Sequence, residues 1–352
     1  MPEQHAHPDL SPAALLLLER LPFPRKTAIV DVGANPINPA PYTPLLRAGG
    51  CTVTGFEPQT DAFAALQGMK GPDETYFPFA VGDGGRHDLH IYNSSGFTSF
   101  FAPYLPTHRS ISRPRWSQVR AVEQIDTVAL DAIPDLGPCD LLKIDIQGGE
   151  KMVFDHAPRT LAQTMAVVVE LRYLQLYEGE PMLGGVDTSL RQQGFTLHKI
   201  LFNQTLSFPH SQGARLNRRR VMDQLVDGDG VYIRHPGTVA DWTDGQVLHL
   251  ALLAATVFES HSLVLWALDE AVRRCLCPAD LPAAYVDRLP DSLLSQEERE
   301  RRHPPRPAGT AAGPTASPLT PPDPPATAPA KVKPAGTGAR PATGRGKGKA
   351  AH

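Results

Sequence analysis

Thr27-Ala28-Ile29-Val30-Asp31-Val32-Gly33-Ala34-Asn35 passes from apolar and β-branched residues into an acid, a glycine and an amide. A continuous apolar run of this length marks a strand buried on both faces of a parallel sheet. Its ending in Asp31 and Gly33 marks entry into a ligand loop. Similar runs recur at 51–56, 74–81, 141–146, 166–171, 196–201 and 230–234, several of them separated by segments long enough for a helix. That alternation predicts an α/β fold, a Rossmann-like sheet with crossover helices on its faces. Residues 87–92 add an extra strand beside the third. No repeat of about 20 to 50 residues is visible, which excludes a solenoid.

The whole chain is compatible with this reading. It has 352 residues, of which 41% are hydrophobic, enough for a substantial core. The formal charge of -3 conceals a division, because residues 299–352 hold ten Lys or Arg against Glu300 and Asp323. An acidic body therefore carries a basic tail, and nucleic acid is not an expected main partner. Four scattered cysteines do not make a disulfide framework and suit a reducing compartment; Cys275 and Cys277 read as ordinary residues at a helix end. Residues 1–9 lack a basic patch before an apolar segment, and the apolar stretch 248–258 falls short of the roughly 20 residues that span a bilayer. A cytoplasmic protein without membrane insertion is expected.

Four segments follow. Residues 1–24 form an N-terminal helical segment and 25–240 the main domain. Residues 241–300 form a C-terminal helical extension, which Thr243 and Gln246 open as a capping box ahead of helices at 247–258 and 263–272. These helices read equally as a cover over the sheet or as a homodimer interface. Residues 301–352 are a Pro, Ala and Lys-rich tail with too little apolar surface to order itself.

The chemistry sits where the first two turns meet. The second strand ends in Gly55-Phe56-Glu57-Pro58, and Glu57 lies at the distance from Gly33 at which an acid accepts both hydroxyls of a ribose. A dinucleotide site would also need a glycine-rich run to seat its pyrophosphate on a helix N-terminus. Here the loop continues Pro36-Ile37-Asn38-Pro39-Ala40-Pro41, without further glycines. S-adenosylmethionine has the ribose and no phosphate, and it fits this pattern better than NAD does.

A third signal completes the set: Asp140-Leu141-Leu142-Lys143-Ile144-Asp145-Ile146-Gln147-Gly148-Gly149-Glu150. Together with the opening motif and Gly55-Phe56-Glu57-Pro58-Gln59, it resembles the FkbM family of S-adenosylmethionine-dependent methyltransferases. Phe79-Ala80-Val81-Gly82-Asp83, Gly96-Phe97-Thr98-Ser99, Val168-Val169-Glu170 and Gly230-Val231-Tyr232-Ile233 extend the resemblance over residues 25–275. It implies a class I methyltransferase sheet. Asp31, Gly33 and Asn35 would then face the amino-acid part of the cofactor, Glu57 with Pro58 its ribose, and Ala80, Val81 and Asp83 its adenine. Asp145, Gln147 and Glu150 would face the methyl group and the acceptor. Two positions depart from the family pattern. Ile37 replaces a usual Gly, and Gln147 stands where Glu is common, which argues against a carboxylate cluster built for a metal.

The resemblance further implies O-methylation of a small molecule, sugar or glycan. A hydroxyl needs a general base, for which Asp145 and Glu170 are candidates, with His198 and His210 behind them. Lys143 and Glu150 can serve instead as an ion pair fixing the loop. Residues 94–120, rich in Pro, Arg and aromatics, make a lid or pocket wall, and Arg109, Arg113 and Arg115 can meet an anionic group or simply face solvent. Two other functions share the sheet: a NAD-dependent oxidoreductase, and a non-catalytic binding protein that keeps the cofactor fold.

Overall fold

The computed structural model describes residues 10–37 and 39–304. The described residues divide into two units, one ending at Leu294 and the other beginning at Ser295. The first opens with α1 (Pro12–Arg20), whose N-terminal Ala14 N–H is capped by Ser11 Oγ. Next come β1 (Thr27–Val32), α2 (Thr43–Arg47), β2 (Cys51–Phe56), α3 (Thr60–Met69) and β3 (Glu74–Phe77). A small sheet forms from β4 (Ala80–Val81), β5 (Arg86–Tyr92) and, beyond α4 (Leu105–Ser110), β6 (Val119–Val128). The chain returns to the main sheet with β7 (Leu141–Ile144), α5 (Glu150–Asp155), α6 (Pro158–Gln163), β8 (Ala166–Arg172) and α7 (Leu183–Gln192). A long hairpin, β9 (Phe195–Leu206) and β10 (Gln224–Arg234), precedes α8 (Asp244–Thr256), α9 (His261–Arg273) and α10 (Leu281–Asp287).

The main sheet has seven strands in the order β3-β2-β1-β7-β8-β10-β9. β1 pairs in parallel with both β2 and β7, and β10 runs antiparallel to both of its neighbours. The chain builds outward from β1 to β3 and then in the opposite direction from β7. The order thus reverses between β1 and β7, and the crevice beyond their carboxyl ends is where such sheets bind ligands.

Alternation along the central strands supplies two apolar layers. Ile29, Ala166 and Val168 face one side with α1, α8 and α9; Val30, Val32, Val167 and Val169 face the other with α5, α6 and α7. Each Val or Ile fully buried in this way contributes about 1.5–3 kcal/mol. α8 carries the predicted capping box between Thr243 and Gln246, and Val247–Thr256 are buried within this chain. On α9, by contrast, the buried residues Leu263, Val264, Ala267, Leu268 and Ala271 form one face. Cys275 and Cys277 are free thiols just beyond the end of α9.

Several expectations are corrected. The run 74–81 is not one strand: β3 stops at Phe77 and β4 joins the other sheet, because Pro78 has no N–H to continue the ladder. β5 does not lie beside β3 but pairs antiparallel with β6, whose half-exposed pattern of charged and apolar residues hid it from periodicity. β9 and β10 run well beyond 196–201 and 230–234, carrying polar residues into the sheet. In the second unit, α11 (Gln296–Arg302) is capped by Ser295 Oγ, which accepts the Glu298 N–H. The part of the expected disordered tail from 305 onward lies outside the described residues. No helix among them is long and apolar enough to cross a membrane.

Candidate active site

The walls of the crevice are fixed by buried charge. Asp31, at the end of β1, accepts a hydrogen bond from the Tyr42 hydroxyl at 2.5 Å and forms an ion pair with Lys143 Nζ at 3.1 Å. Lys143 also donates to the Gly33 carbonyl at 3.2 Å. Burial works against the Lys143 ammonium, but Asp31 and Asp145 outweigh it and hold its pKa above the ordinary value. Lys143 therefore pairs with Asp31 and not, as the alternative reading had it, with Glu150. Gly33 has φ +80°, and a Cβ there would fall 2.1 Å from the Asp145 carbonyl oxygen, so only glycine lets the β1 and β7 loops approach this closely. At the end of β2, Glu57 is buried, which raises its pKa, and its Oε1 accepts the Gln59 N–H at 2.8 Å.

The loop after β7 is held from beneath by Glu150, whose carboxylate accepts the N–H groups of Ile146 and Gly148. Burial pushes the Glu150 pKa up to about 7. Gln147 adopts φ +57°, a conformation that costs a non-glycine residue about 1 kcal/mol. Its surroundings over-determine it. Ser99 Oγ donates to its carbonyl at 2.6 Å, and its own Nε2 donates to Asp145 Oδ1 and Glu170 Oε2, both at 3.0 Å. Its Oε1 accepts from the Tyr177 hydroxyl and from Arg172 Nη2.

Arg172 is the cationic centre of this region. Its guanidinium meets Glu170 at 2.8 Å, Asp227 at 2.9 Å and Glu180 at 3.2 Å, all buried or nearly so. One cation faces three acids, and burial, which Arg172 opposes, raises the pKa of all three. Burial raises the Glu170 pKa well above normal although Arg172 opposes it, and burial together with Asp145 brings Asp229 to about 6. Asp145, Glu150 and Glu170 each place a carboxylate oxygen within 4.8 Å of the others, a spacing that a cation could bridge. The Gln147 amide donates to two of these three, so an uncharged donor stands where a neutralising cation would be expected.

The crevice has a volume of about 1290 Å³. Of the predicted site residues, Asp31, Gly33, Asn35, Glu57, Pro58, Ala80, Val81, Asp145 and Gln147 line it, whereas Asp83 and Glu170 do not. Asp83 is occupied locally: it accepts from His87 and the Gly85 N–H, and the His87 hydrogen bond leads in lowering its pKa to about 2. Glu170 lies behind Gln147. His198 is held by Ser260 Oγ at 2.9 Å, and His210 lies on the exposed β9–β10 connection. Gly96, Thr98 and Phe100 line the crevice, so the start of the 94–120 segment does form a wall.

Sequence reasoning missed Arg172, Tyr177, Glu180, Asp227 and Asp229. Two signals were available. Glu170 and Arg172 share a face of one strand at a spacing of two, and Asp227-Gly228-Asp229-Gly230 alternates acid with glycine inside a strand. At Gly228 a Cβ would fall 2.4 Å from the Phe202 carbonyl oxygen, which is why those glycines stand there.

The crevice lining has a distinct electrostatic character: Asp31, Glu57, Asp73, Glu74, Asp145 and Asp229 outnumber Arg47 and Lys143, and Lys143 is already paired. An acidic cleft attracts a sulfonium cation and repels a pyrophosphate. The residues present thus fit S-adenosylmethionine.

Comparison with known proteins agrees with this. Residues 31–197 match the Methyltransferase FkbM domain. No curated protein matches the chain. Among solved structures, the chain is similar to the magnesium protoporphyrin IX methyltransferase of Synechocystis PCC 6803 with bound S-adenosylmethionine, at 9% identity and TM-score 0.31, covering 63% of this chain and 76% of that one. It is also similar to the precorrin-6y C5,15-methyltransferase of Geobacter metallireducens GS-15, at 12% identity and TM-score 0.30, covering 63% and 87%. A likeness this loose carries no functional detail. The family match, to the methyltransferase FkbM domain, spans the crevice-forming strands, and S-adenosylmethionine is the cofactor that this match and the acidic lining point to.

Proposed function

We propose that the protein is an O-methyltransferase acting on a hydroxyl of a small molecule, sugar or glycan, with Asp145 as its general base. The observation that carries this reading is the position of Asp145: an exposed carboxylate on the crevice at the carboxyl end of β7, tied to Gln147 through one oxygen. A neutral amine acceptor needs no such base in the transition state, whereas a hydroxyl does.

The cofactor, when bound, supplies a methyl group on a positively charged sulfur. Glu57 holds the ribose, Asn35 and the Gly33 backbone face the amino-acid part, and Ala80 with Val81 offers an apolar wall to the adenine. An acceptor hydroxyl bound beside Asp145 would give its proton to that carboxylate as its oxygen takes the methyl group that the cofactor would supply. Positioning supplies much of the rate. Glu170 serves differently, since its Oε2 accepts from both Gln147 and Arg172: it fixes the Gln147 amide, which in turn aims Asp145. The acidic lining weighs against a NAD-dependent reaction. Four free thiols suit the reducing cytoplasm.

The test is transfer of label from methyl-labelled S-adenosylmethionine to a pool of hydroxylated metabolites and glycans, with base-stable label in the product. Asp145→Asn is expected to lower turnover by about 10²–10⁴-fold while donor affinity, measured by calorimetry, stays within about threefold. Full turnover in that variant, or label found only on nitrogen, would reject the assignment.

A further inference from the structure

The β9–β10 hairpin overshoots the sheet. β10 meets the carboxyl end of β8 at Asp227, opposite Arg172, while its earlier residues Gln224 and Leu225 pair with β9. The connection 207–223 therefore stands off the same edge of the sheet on which the crevice opens. It contains four arginines, at 215, 218, 219 and 220, against Asp223 as its one acid. Large apolar side chains stand in solvent between them: Phe208 is 48% exposed, Leu216 47% and Met222 39%.

A second basic segment shares its footing. Residues 105–120 contain Arg109, Arg113, Arg115 and Arg120 and no acid. The Tyr104 N–H donates to the Leu176 carbonyl at 2.8 Å, and Ile111, Leu176, Leu206 and Val226 belong to one buried cluster. Both segments thus rise from the same small core. Arg109, Arg115, Arg215, Arg219 and Arg220 are exposed and have no carboxylate partner among the described residues.

In a chain of net negative charge, eight arginines with one acid on two adjoining segments are a built cationic surface. The interspersed apolar side chains decide what it meets. A nucleic acid backbone would satisfy the arginines but gives Leu216 and Met222 nowhere to go. An anionic bilayer offers both phosphate headgroups and, a few ångströms deeper, hydrocarbon. We infer that the β9–β10 connection and the 105–120 segment together form a peripheral contact surface for an anionic lipid bilayer, with arginines at the headgroups and Phe208, Leu216 and Met222 in the acyl boundary. This goes beyond methyl transfer and assumes nothing about the acceptor.

The test is co-sedimentation of the full chain with vesicles of phosphatidylcholine alone or with one-third phosphatidylserine. Binding is expected to the anionic vesicles only and to weaken as salt is raised. Arg215→Ala/Arg219→Ala/Arg220→Ala is expected to reduce partitioning about 100-fold, and Phe208→Ser/Leu216→Ser/Met222→Ser at least about 10-fold. All six residues are exposed, so both variants should keep the wild-type Tm. Absence of binding overturns the inference. Undiminished binding by both variants overturns it too, since the basic residues beyond 305 would then be responsible. Loss with the arginine variant but not the apolar one, with release by short RNA, assigns the surface to soluble polyanions instead.

Discussion

β7 carries an aspartate just before it and another just after it, and the two could hardly be treated more differently. Asp140, at the amino end, is buried and fully answered: Arg25 meets both of its oxygens at 2.5 and 2.9 Å, the Ala28 N–H donates to it at 2.7 Å, and His249 Nε2 lies 3.9 Å away. Asp145, at the carboxyl end, is exposed on the crevice and backed by Glu150, Glu170, Asp227 and Asp229, with Lys143 and Arg172 as the neighbouring cations. One end of the strand closes its electrostatics; the other leaves them open for a ligand. Stability and function are separated along four residues of sequence, and only the direction of the strand distinguishes them.

The largest effect expected from breaking this contrast is at Arg172. Arg172→Met leaves Glu170, Glu180 and Asp227 buried without their cation, and should cost about 3–5 kcal/mol in denaturant unfolding. Next is Glu57→Ala, which on the proposed reading removes two charged hydrogen bonds to the ribose; calorimetry should show donor affinity weakened about 100-fold, with the Tm nearly unchanged. At the amino end, Arg25→Met exposes the buried Asp140 to loss of its partner. Because the Arg25 side chain is 38% exposed and screened by solvent, the cost should be about 1–2 kcal/mol, with donor affinity intact. A weakened donor affinity there would abolish the division between the two ends.

The smallest effect sharpens the picture by pH. The Asp229 pKa is raised to about 6, so the folded chain keeps a proton that the unfolded chain has already released. Its contribution is neutral below the unfolded carboxyl pKa of about 4 and becomes destabilising as pH rises through about 6. Asp229→Asn should therefore raise the Tm at pH 7 by a few degrees at most and not at pH 4, as differential scanning calorimetry can resolve.

How much of this was legible follows from the kind of interaction involved. Buried parallel strands declare themselves because both faces must be apolar, so β1, β2, β7 and β8 were readable to within a residue or two. β6 was not, because a strand with one face in water carries Glu123, Gln124 and Asp126 and loses the apolar signature. The loop glycine Gly33 and the acid Glu57 were legible as types at a spacing. Glu170 was legible as an acid near the site but not as one shielded by Gln147, since that depends on a left-handed backbone at a residue that does not prefer it.

What the chain alone determined was the layered α/β order, the crevice after β1 and β2, and the family of chemistry, because these rest on local periodicity and on residue types at the ends of strands. The tertiary structure decided which acids face the crevice and which are spent on Arg172. It also decided that Lys143 serves Asp31, and that two basic segments far apart in sequence share one edge. Those outcomes depend on contacts between β1, β7, β8 and β10, and long-range pairing of charges leaves no trace in the sequence near either partner.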